Sequence, residues 1–505
     1  MALLTERYSK QIAGTLSCYD RIVITGTIPQ VCYAGGMTSY LYQHNVRIFD
    51  YAKFAEPLRN ELRRNAEAIA KAGGIEIEFV KKQHIRKEAL VQKVLDKRGY
   101  APGLVHIISA MEACESYEPW HDKKTHRTYL KPKLGKCLHY YFYVLDEVLG
   151  LCYVRVPTWC PFRLQIYFNG HNWLASKLKK KKIAYSMLDN AFDSIENYQQ
   201  AQELSDGLSI EELHKKLDEF AQKFCPVHTH LGQVYHWSIM QAEYATDIIF
   251  KKQADLQAIY EQLTTTAIHT VKPDNIATFL GRKLRGNYQG EVGNNYNVRI
   301  EGTRIKHHMG KVSIKMYDKH QKILRIETTV NDVSFFKHYP DPFGIEHIDG
   351  TTSKKNTSMK KNIYSLAPLR KLLKAANLRY LAFISEFDDQ NTGNRNLTQL
   401  SKAVKKNNRN YKGFNFFDCE DLQLILTIAR GEFNISGFQN KNIRQFLKEK
   451  TSGQVSRLIK RLHTHRLIKK TKHSYKYYLT NLGKRVIATA LKIKKFVIIP
   501  ELNTI

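Results

Sequence analysis

Nothing in the chain approaches the roughly 18 consecutive apolar residues that a bilayer-spanning helix needs, which sets it apart from membrane-spanning proteins. The opening residues, MALLTERYSKQIAG, lack the charged, apolar, small-residue order of a secretion signal. Cysteine is scarce: eight in 505 residues are no disulfide framework and fit a reducing cytoplasm. There is no Walker-type glycine loop and no dinucleotide fingerprint, which argues against ATP-driven and redox chemistry. Internal repeats and long low-complexity tracts are also missing. Acid is the clearest shortage. With 47 Asp+Glu against 79 Lys+Arg the formal net charge is +32. Such an excess repels itself unless an anion neutralises it, and the usual anions are nucleic acid or an acidic membrane surface. What is present, 43% hydrophobic and 11% aromatic residues, is ample for packed cores.

The charge is unevenly placed. Residues 401–505 carry 23 Lys+Arg against 6 Asp+Glu, so about half of the excess lies in about a fifth of the chain. That concentration points to a tail domain that contacts phosphates, although a Lys-rich face can also serve solubility. The expected class is α+β, a mixed α/β body with antiparallel sheet segments followed by a winged helix. Composition suggests a mixed domain over 1–260, read as RNase H-like, and a basic antiparallel sheet domain over 261–350. A helical segment and basic linker over 351–413 and a DNA-binding domain over 414–505 would follow. Within the third segment, Asn391–Gly413 reads as linker or basic surface loop.

The tail is readable residue by residue. Leu422, Leu424, Ile425 and Ile428 mark a first helix, and Ile443, Phe446 and Leu447 a second. Thr451 stands where an N-cap belongs, before a third helix with Val455, Leu458, Ile459 and Leu462 on one side. Its other side shows Gln454, Ser456, Arg457, Lys460 and Arg461. Two short strands around KTKHS and a last helix complete the pattern of a winged helix. Gln454 and Arg457 suit base edges, Lys460, Arg461, Lys469, Lys470 and Lys472 suit phosphates, and Ser456 completes the nucleic-acid-binding face. The stretches GQVSRLIKRLHTHRLIKK and YKYYLTNLGKRV resemble the winged-helix half of MarR-type regulators, over about 85 residues. The resemblance implies DNA binding and no particular pathway; a regulator of this kind would work as a symmetric homodimer on a palindrome.

In the body, Ser17–Ile28 reads as a strand with Asp20 near its start, and Leu138–Val156 as an aromatic hairpin turning at Asp146, Glu147 and Gly150. Glu243 and Asp247, four apart on a stretch read as helical, share a face. Asp20, Asp146 and Asp247 would then be an RNase H-like order of acids that holds Mg2+ for phosphodiester chemistry. Asp146 also suits an ordinary turn, and Glu243 and Asp247 a solvated helix face. Residues 297–331 read as three antiparallel strands with turns at Met309-Gly310 and near His320. Alternation places Arg304, Lys306, His308, Lys315, Tyr317, Arg325 and Glu327 on one side. Arg304, Lys306, Lys315 and Arg325 would grip a phosphodiester and His308 would move protons. Tyr317 would serve as a nucleophile, with Glu327 orienting a metal or a base. The same side chains also suit a solvent-exposed sheet with charge pairs such as Lys315 to Glu327. Cys225, His228 and His230 have ligand-like spacing but no second cysteine pair, a poor zinc site.

The phrases YDRIVITGT, YVRVPTWCPFRLQIYFNGHNWLA, QAEYATDIIF and RIKHHMGKVSIKMYDKHQKILRIETTVND make the body similar to a widespread bacterial family with the look of mobile-element proteins. That resemblance implies a mobile-element setting and carries over no catalytic residue. The leading expectation is therefore a cytoplasmic, nucleoid-associated DNA-binding protein that cuts or joins DNA with Mg2+, in the manner of a transposase or nuclease. A non-enzymatic MarR-type regulator with an enlarged body and an RNA-binding subunit of a ribonucleoprotein are the alternatives.

Overall fold

The computed structural model describes residues 3–81, 85–284, 288–299, 302–338, 345–346, 352–353, 357–388, 400–471 and 474–493. The protein is α+β and divides into two compact units, 1–388 and 389–505.

The body is built on one sheet. Its strands, in chain order, are β1 (Ile12–Thr27), β2 (Ile77–Phe79), β3 (Gly103–Asp122), β4 (Arg127–Asp146), β5 (Gly150–Pro157) and β6 (Leu164–Asn169). After a separate hairpin of β7 (Tyr185–Leu188) and β8 (Ala191–Ile195) come β9 (His236–Phe250), β10 (Val292–Arg299), β11 (Gly302–Met309), β12 (Val312–Lys319) and β13 (Ile323–Val330). The eleven strands of the large sheet run β10-β11-β12-β13-β9-β1-β6-β5-β4-β3-β2, and every pairing but β2 with β3 is antiparallel. The boundary expected near residue 260 therefore falls within one continuous sheet, because β13 pairs directly with β9. Of the three strands read over 297–331, those at 312–319 and 323–330 lie where alternation placed them, but residues 297–299 belong to a further strand, β10, which pairs antiparallel with β11. Gly310, His320 and Gln321 take the positive φ that tight hairpin turns need.

Helices of the body are α1 (Leu4–Arg7), α2 (Ala34–Gln43), α3 (Tyr51–Ala72), α4 (Lys87–Arg98), α5 (Gly170–Lys180), α6 (Tyr198–Asp206), α7 (Ile210–Phe224), α8 (Gln253–Thr270), α9 (Pro273–Phe279) and α10 (Leu366–Asp388). Leu366, Leu369, Leu373, Ala376, Tyr380 and Ile384 recur at spacings of three and four, and all are buried. This stripe seats α10 on β9 and β13. Polar anchors fix its position: Tyr19 donates to the Leu366 carbonyl at 2.7 Å, and Asn377 bridges Thr328 (2.6 Å) and the Tyr244 carbonyl (3.0 Å). One side of the central strands is thereby closed, and chemistry is left to the other. None of the described helices is long and apolar enough to cross a membrane.

The second unit begins earlier than residue 414. It contains a hairpin, Val404–Lys406 with Arg409–Tyr411, where a linker or loop was expected. Then follow α11 (Cys419–Ile428), α12 (Gly431–Ser436), α13 (Asn440–Phe446), α14 (Ser452–Thr464), strands Ile468–Lys470 and Tyr477–Leu479, and α15 (Asn481–Ile493). Only α12 was not read from the sequence. Thr451 caps α14 as expected, in a reciprocal box with Gln454.

Asn377→Ala should destabilise the body by about 1–3 kcal/mol, the cost of leaving buried partners without a hydrogen bond. All four tryptophans lie in the body, so urea unfolding followed by tryptophan fluorescence reads this unit alone.

Candidate functional site

The open side of β1, β9 and β13 carries a polar cluster whose positions follow from register. Asp247 stands opposite Leu16 and Arg325, Ala245 opposite Cys18 and Glu327, and Glu243 opposite Arg21 and Thr329. With a side-chain period of two, Glu243, Ala245 and Asp247 share one side, as do Arg325, Glu327 and Thr329. Glu243 and Asp247 thus do share a side, but of a strand and not of the helix expected. Asp20 arrives by another route. Pairing steps from Tyr19–Tyr244 to Arg21–Glu243, so Asp20 is the extra residue of a bulge. A bulge re-aims a side chain, here into the cluster.

Arg325 is the centre. Its side chain is fully buried, and it is bidentate to Asp247 at 2.6 and 2.7 Å. It also lies 3.3 Å from Asp20 and 3.1 Å from the His171 ring. His171 bridges the two acids, 3.1 Å from Asp20 and 3.4 Å from Asp247. It reaches them because Gly170 at the head of α5 presses on β1: a Cβ there would come within 2.1 Å of the Tyr19 carbonyl oxygen. Asn169 and Asn190 donate to the same Asp20 oxygen at 3.1 and 3.0 Å, and Lys319 holds Asn190. Burial alone would raise both carboxyls, but Arg325 and His171 outweigh it. Asp20 is held far below the carboxylate range and Asp247 at about 2. Burial opposes the charge on His171, yet its acidic neighbours hold its pKa well above the usual value.

Beside this neutralised group lies an incompletely neutralised one. Carboxylate oxygens of Asp20, Glu243 and Glu327 all lie within 4.8 Å of one another. The row through Cys18, Ala245 and Glu327 supplies two small side chains, which leaves room for them to converge. Lys315 reaches Glu327 at 2.7 Å and Glu243 at 3.5 Å. Burial and the Glu327 charge push the Glu243 carboxyl up, and Lys315 only partly offsets this. These three carboxylates are the group of described residues that could hold a metal ion. Three carboxylates are the hard-oxygen set that suits Mg2+, Mn2+ or Ca2+. Tyr317 donates to Glu327 at 2.7 Å, and burial with that charge keeps its phenol protonated. In this position it orients Glu327 and is not a ready nucleophile.

Of the expected acids, Asp20 and Asp247 meet, but Asp146 stands apart. It ends β4, three strands from β1, where Oδ1 accepts from Val148 and Leu149 at 2.9 Å and caps the hairpin turn. The RNase H-like order of acids is not formed. Asp146 lines a cavity of about 960 Å3 with Asn172, Asp189 and Asn190, and Asn190 also bonds Asp20. His308 is on β11, opposite Ser313 and two strands from Glu327. Arg304 and Lys306 share that strand, and Lys306 stands opposite Lys315. Glu243, His171 and Asn190 were missed as site residues. Asn169-Gly170-His171, a turn from strand to helix, was the one local sign of the second. Cys225, His228 and His230 do not converge: they bond Tyr235, the Cys225 carbonyl and Glu61.

In the second unit Arg457, Lys460, Lys469 and Lys470 are exposed, as a binding face requires. Lys472 lies outside the described residues. Gln454 is engaged in its cap, and Ser456 accepts from Asn440 at 2.8 Å. Arg461 is turned away from the exposed face: it is bidentate to Asp421 at 2.6 and 2.8 Å and lies over Phe414. It is a structural residue, not a phosphate contact. Comparison of the chain with protein-family models, curated proteins and solved structures finds no match.

Arg325→Met should cost the body about 3–5 kcal/mol, because two buried carboxylates lose their partner. The pH dependence has a definite sign. Asp247 titrates near 2 when folded and near 3.9 unfolded, so it adds stability above about pH 4 that is lost as pH falls toward 2. The stability gap between the native chain and Arg325→Met should therefore narrow over that window in urea melts.

Proposed function

We propose that this chain is a DNA-binding protein of a bacterial mobile element that cuts or joins phosphodiester bonds with a divalent cation. The observation that carries the reading is the convergence of Asp20, Glu243 and Glu327 next to Arg325 and Lys315. Carboxylates that bind a cation beside fixed positive groups can bring a phosphate to a nucleophile and stabilise charge on the leaving oxygen. Mg2+ would be held by the three carboxylates, with Asp247 and His171 fixing Asp20 from behind through Arg325. Arg304 and Lys306, on the strand next to Lys315, would extend the phosphate contact along the sheet.

Recognition of duplex DNA is assigned to the second unit, read as a winged helix. Its α14 presents Arg457 and Lys460, and the strands after it present Lys469 and Lys470. An additional bridge of Phe438 to Tyr477 supports that reading, because it adds a third short strand to the pair.

A non-enzymatic regulator is the second reading, and one observation favours it. Asp20 Oδ1 already accepts from Asn169 and Asn190 with the His171 ring 3.1 Å away, and a guanidinium lies by the other oxygen, which is how a purely structural carboxylate is held.

Two measurements separate these readings. Glu243→Gln and Glu327→Gln should each lower Mg2+-dependent cleavage or joining of DNA about 100-fold or more, because the charge stabilisation lost is worth several kcal/mol. Duplex affinity should stay unchanged. Equal activity in both variants would leave the regulator reading. Arg457→Ala with Lys460→Ala should weaken binding of a mixed-sequence duplex and flatten its log–log salt slope by about 2. Nucleic acid that co-purifies through high salt and sequences as one discrete RNA would favour a ribonucleoprotein instead.

A further inference from the structure

The segment before α11 is more than a tether. Residues 401–412, SKAVKKNNRNYK, hold five cations and no acid. Asn407 and Asn408 both take positive φ, the form of a two-residue turn that suits the twist of a hairpin, and asparagine tolerates it. Lys405 stands opposite Asn410 and Lys406 opposite Arg409. Like charges directly opposite across a hairpin are destabilising, so this pair costs stability in the isolated protein.

Against that cost the hairpin is firmly seated. Leu400 and Phe414 at its two ends are buried in the core of the unit, and Phe414 donates to the Leu400 carbonyl at 2.7 Å. The chain closes so tightly that a Cβ on Gly413 would come within 2.0 Å of the Ser401 carbonyl oxygen. Arg461 of α14 donates to the Lys412 carbonyl at 2.8 Å and to the Gly413 carbonyl, while Asp421 balances its charge. His465 contacts the Lys412 carbonyl at 3.1 Å. The base of the hairpin is thus fastened to the C-terminal end of α14, while Lys405, Lys406 and Arg409 are exposed.

That end of α14 is shared. The charges of Lys406 and Lys470 both act on His463, which burial and these cations hold below the usual histidine range. Lys470 belongs to the strand pair after α14, so two basic hairpins, one before the helices and one after, approach the same end of one helix. Between α14 and the later hairpin lies a groove of about 350 Å3, lined by Ser456, Lys460, His463, Lys470 and Tyr475.

We infer that the 401–412 hairpin is a second phosphate clamp, which grips the backbone of duplex DNA beside α14 while the later hairpin grips it from the other side. This rests on the assignment of duplex DNA to the second unit, and deepens it. Exposed cations that carry no acid, held in place by a half-buried arginine, gain on neutralisation what the Lys406–Arg409 pair costs in the free protein. Arg461 is the positioning residue, because it fixes the hairpin without facing the ligand.

The test uses the full chain and a 30-base-pair mixed-sequence DNA duplex, followed by fluorescence anisotropy across a salt series. Lys405→Ala, Lys406→Ala and Arg409→Ala together should reduce the log–log salt slope by about 3, close to 0.9 per phosphate contact. Affinity at low salt should fall at least tenfold. Three exposed alanines leave the core intact, and an unchanged circular dichroism melt would verify it. If the triple variant keeps its affinity and slope while Arg457→Ala with Lys460→Ala weakens binding, the clamp is wrong and DNA binding by α14 stands. Unchanged binding in both variants would overturn the clamp and the assignment of DNA to this unit together. A triple variant that binds DNA normally but no longer binds an RNA duplex of equal length would also overturn the DNA clamp.

Discussion

A single buried guanidinium organises the body. An unpaired charge in a protein interior costs several kcal/mol, so Arg325 is tolerated only where anions meet it with good geometry. Asp247 supplies a fork-to-fork pair from the neighbouring strand, Asp20 approaches from the strand beyond, and His171 closes the ring from a helix. Four elements far apart in sequence are thereby tied at one point. Both Asp20 oxygens take part in this neutralisation, and the same carboxylate lies within 4.8 Å of those of Glu243 and Glu327. Structure and candidate chemistry use the same carboxylate, and the bulge at Asp20 makes this geometry available.

The two sides of the central strands divide their labour clearly. On one, α10 lays an apolar stripe over β9 and β13 with a few polar anchors, and side chains there are sealed. On the other, acids, a lysine and a tyrosine alternate with them residue by residue. Burying both kinds of side chain in β13, which is buried along its whole length, is possible because every charge on its polar side has a partner in the next strand. Glu243 is the weak point of that balance: burial and the Glu327 charge raise its carboxyl, and Lys315 at 3.5 Å offsets this only in part.

Much of the sheet was legible. The hairpins at residues 297–331 and 138–156 follow from strict alternation and turn residues, and the α14 stripe from spacing of three and four. Other features were hidden for definite physical reasons. A separation of four residues puts Glu243 and Asp247 on one side of a helix and equally on one side of a strand, so their relation was legible but their element was not. Asp146 sits in a turn, where an acid is needed to cap backbone amides, and sequence does not distinguish that need from catalysis. Arg461 lies on the polar side of its helix by periodicity, yet it is half-buried and spent on Asp421 and two carbonyls. The contacts that decide these cases, from Asp421 to Arg461 and from Glu327 to Lys315, are long-range or across strands. The basic stretch at 401–412 looked like a linker because composition reports charge and not the Leu400–Phe414 pair that pins it.

The central claim is that the three carboxylates form a cation site. It is tested most directly by anomalous X-ray scattering from crystals of the full chain soaked in Mn2+. The account predicts one strong peak within coordination distance of Asp20, Glu243 and Glu327, with the Lys315 amine displaced from Glu327, and loss of the peak in Glu243→Gln. A fully soaked crystal with Lys315 still bonded to Glu327 and no density between the carboxylates would contradict it, and would make the cluster a purely structural one.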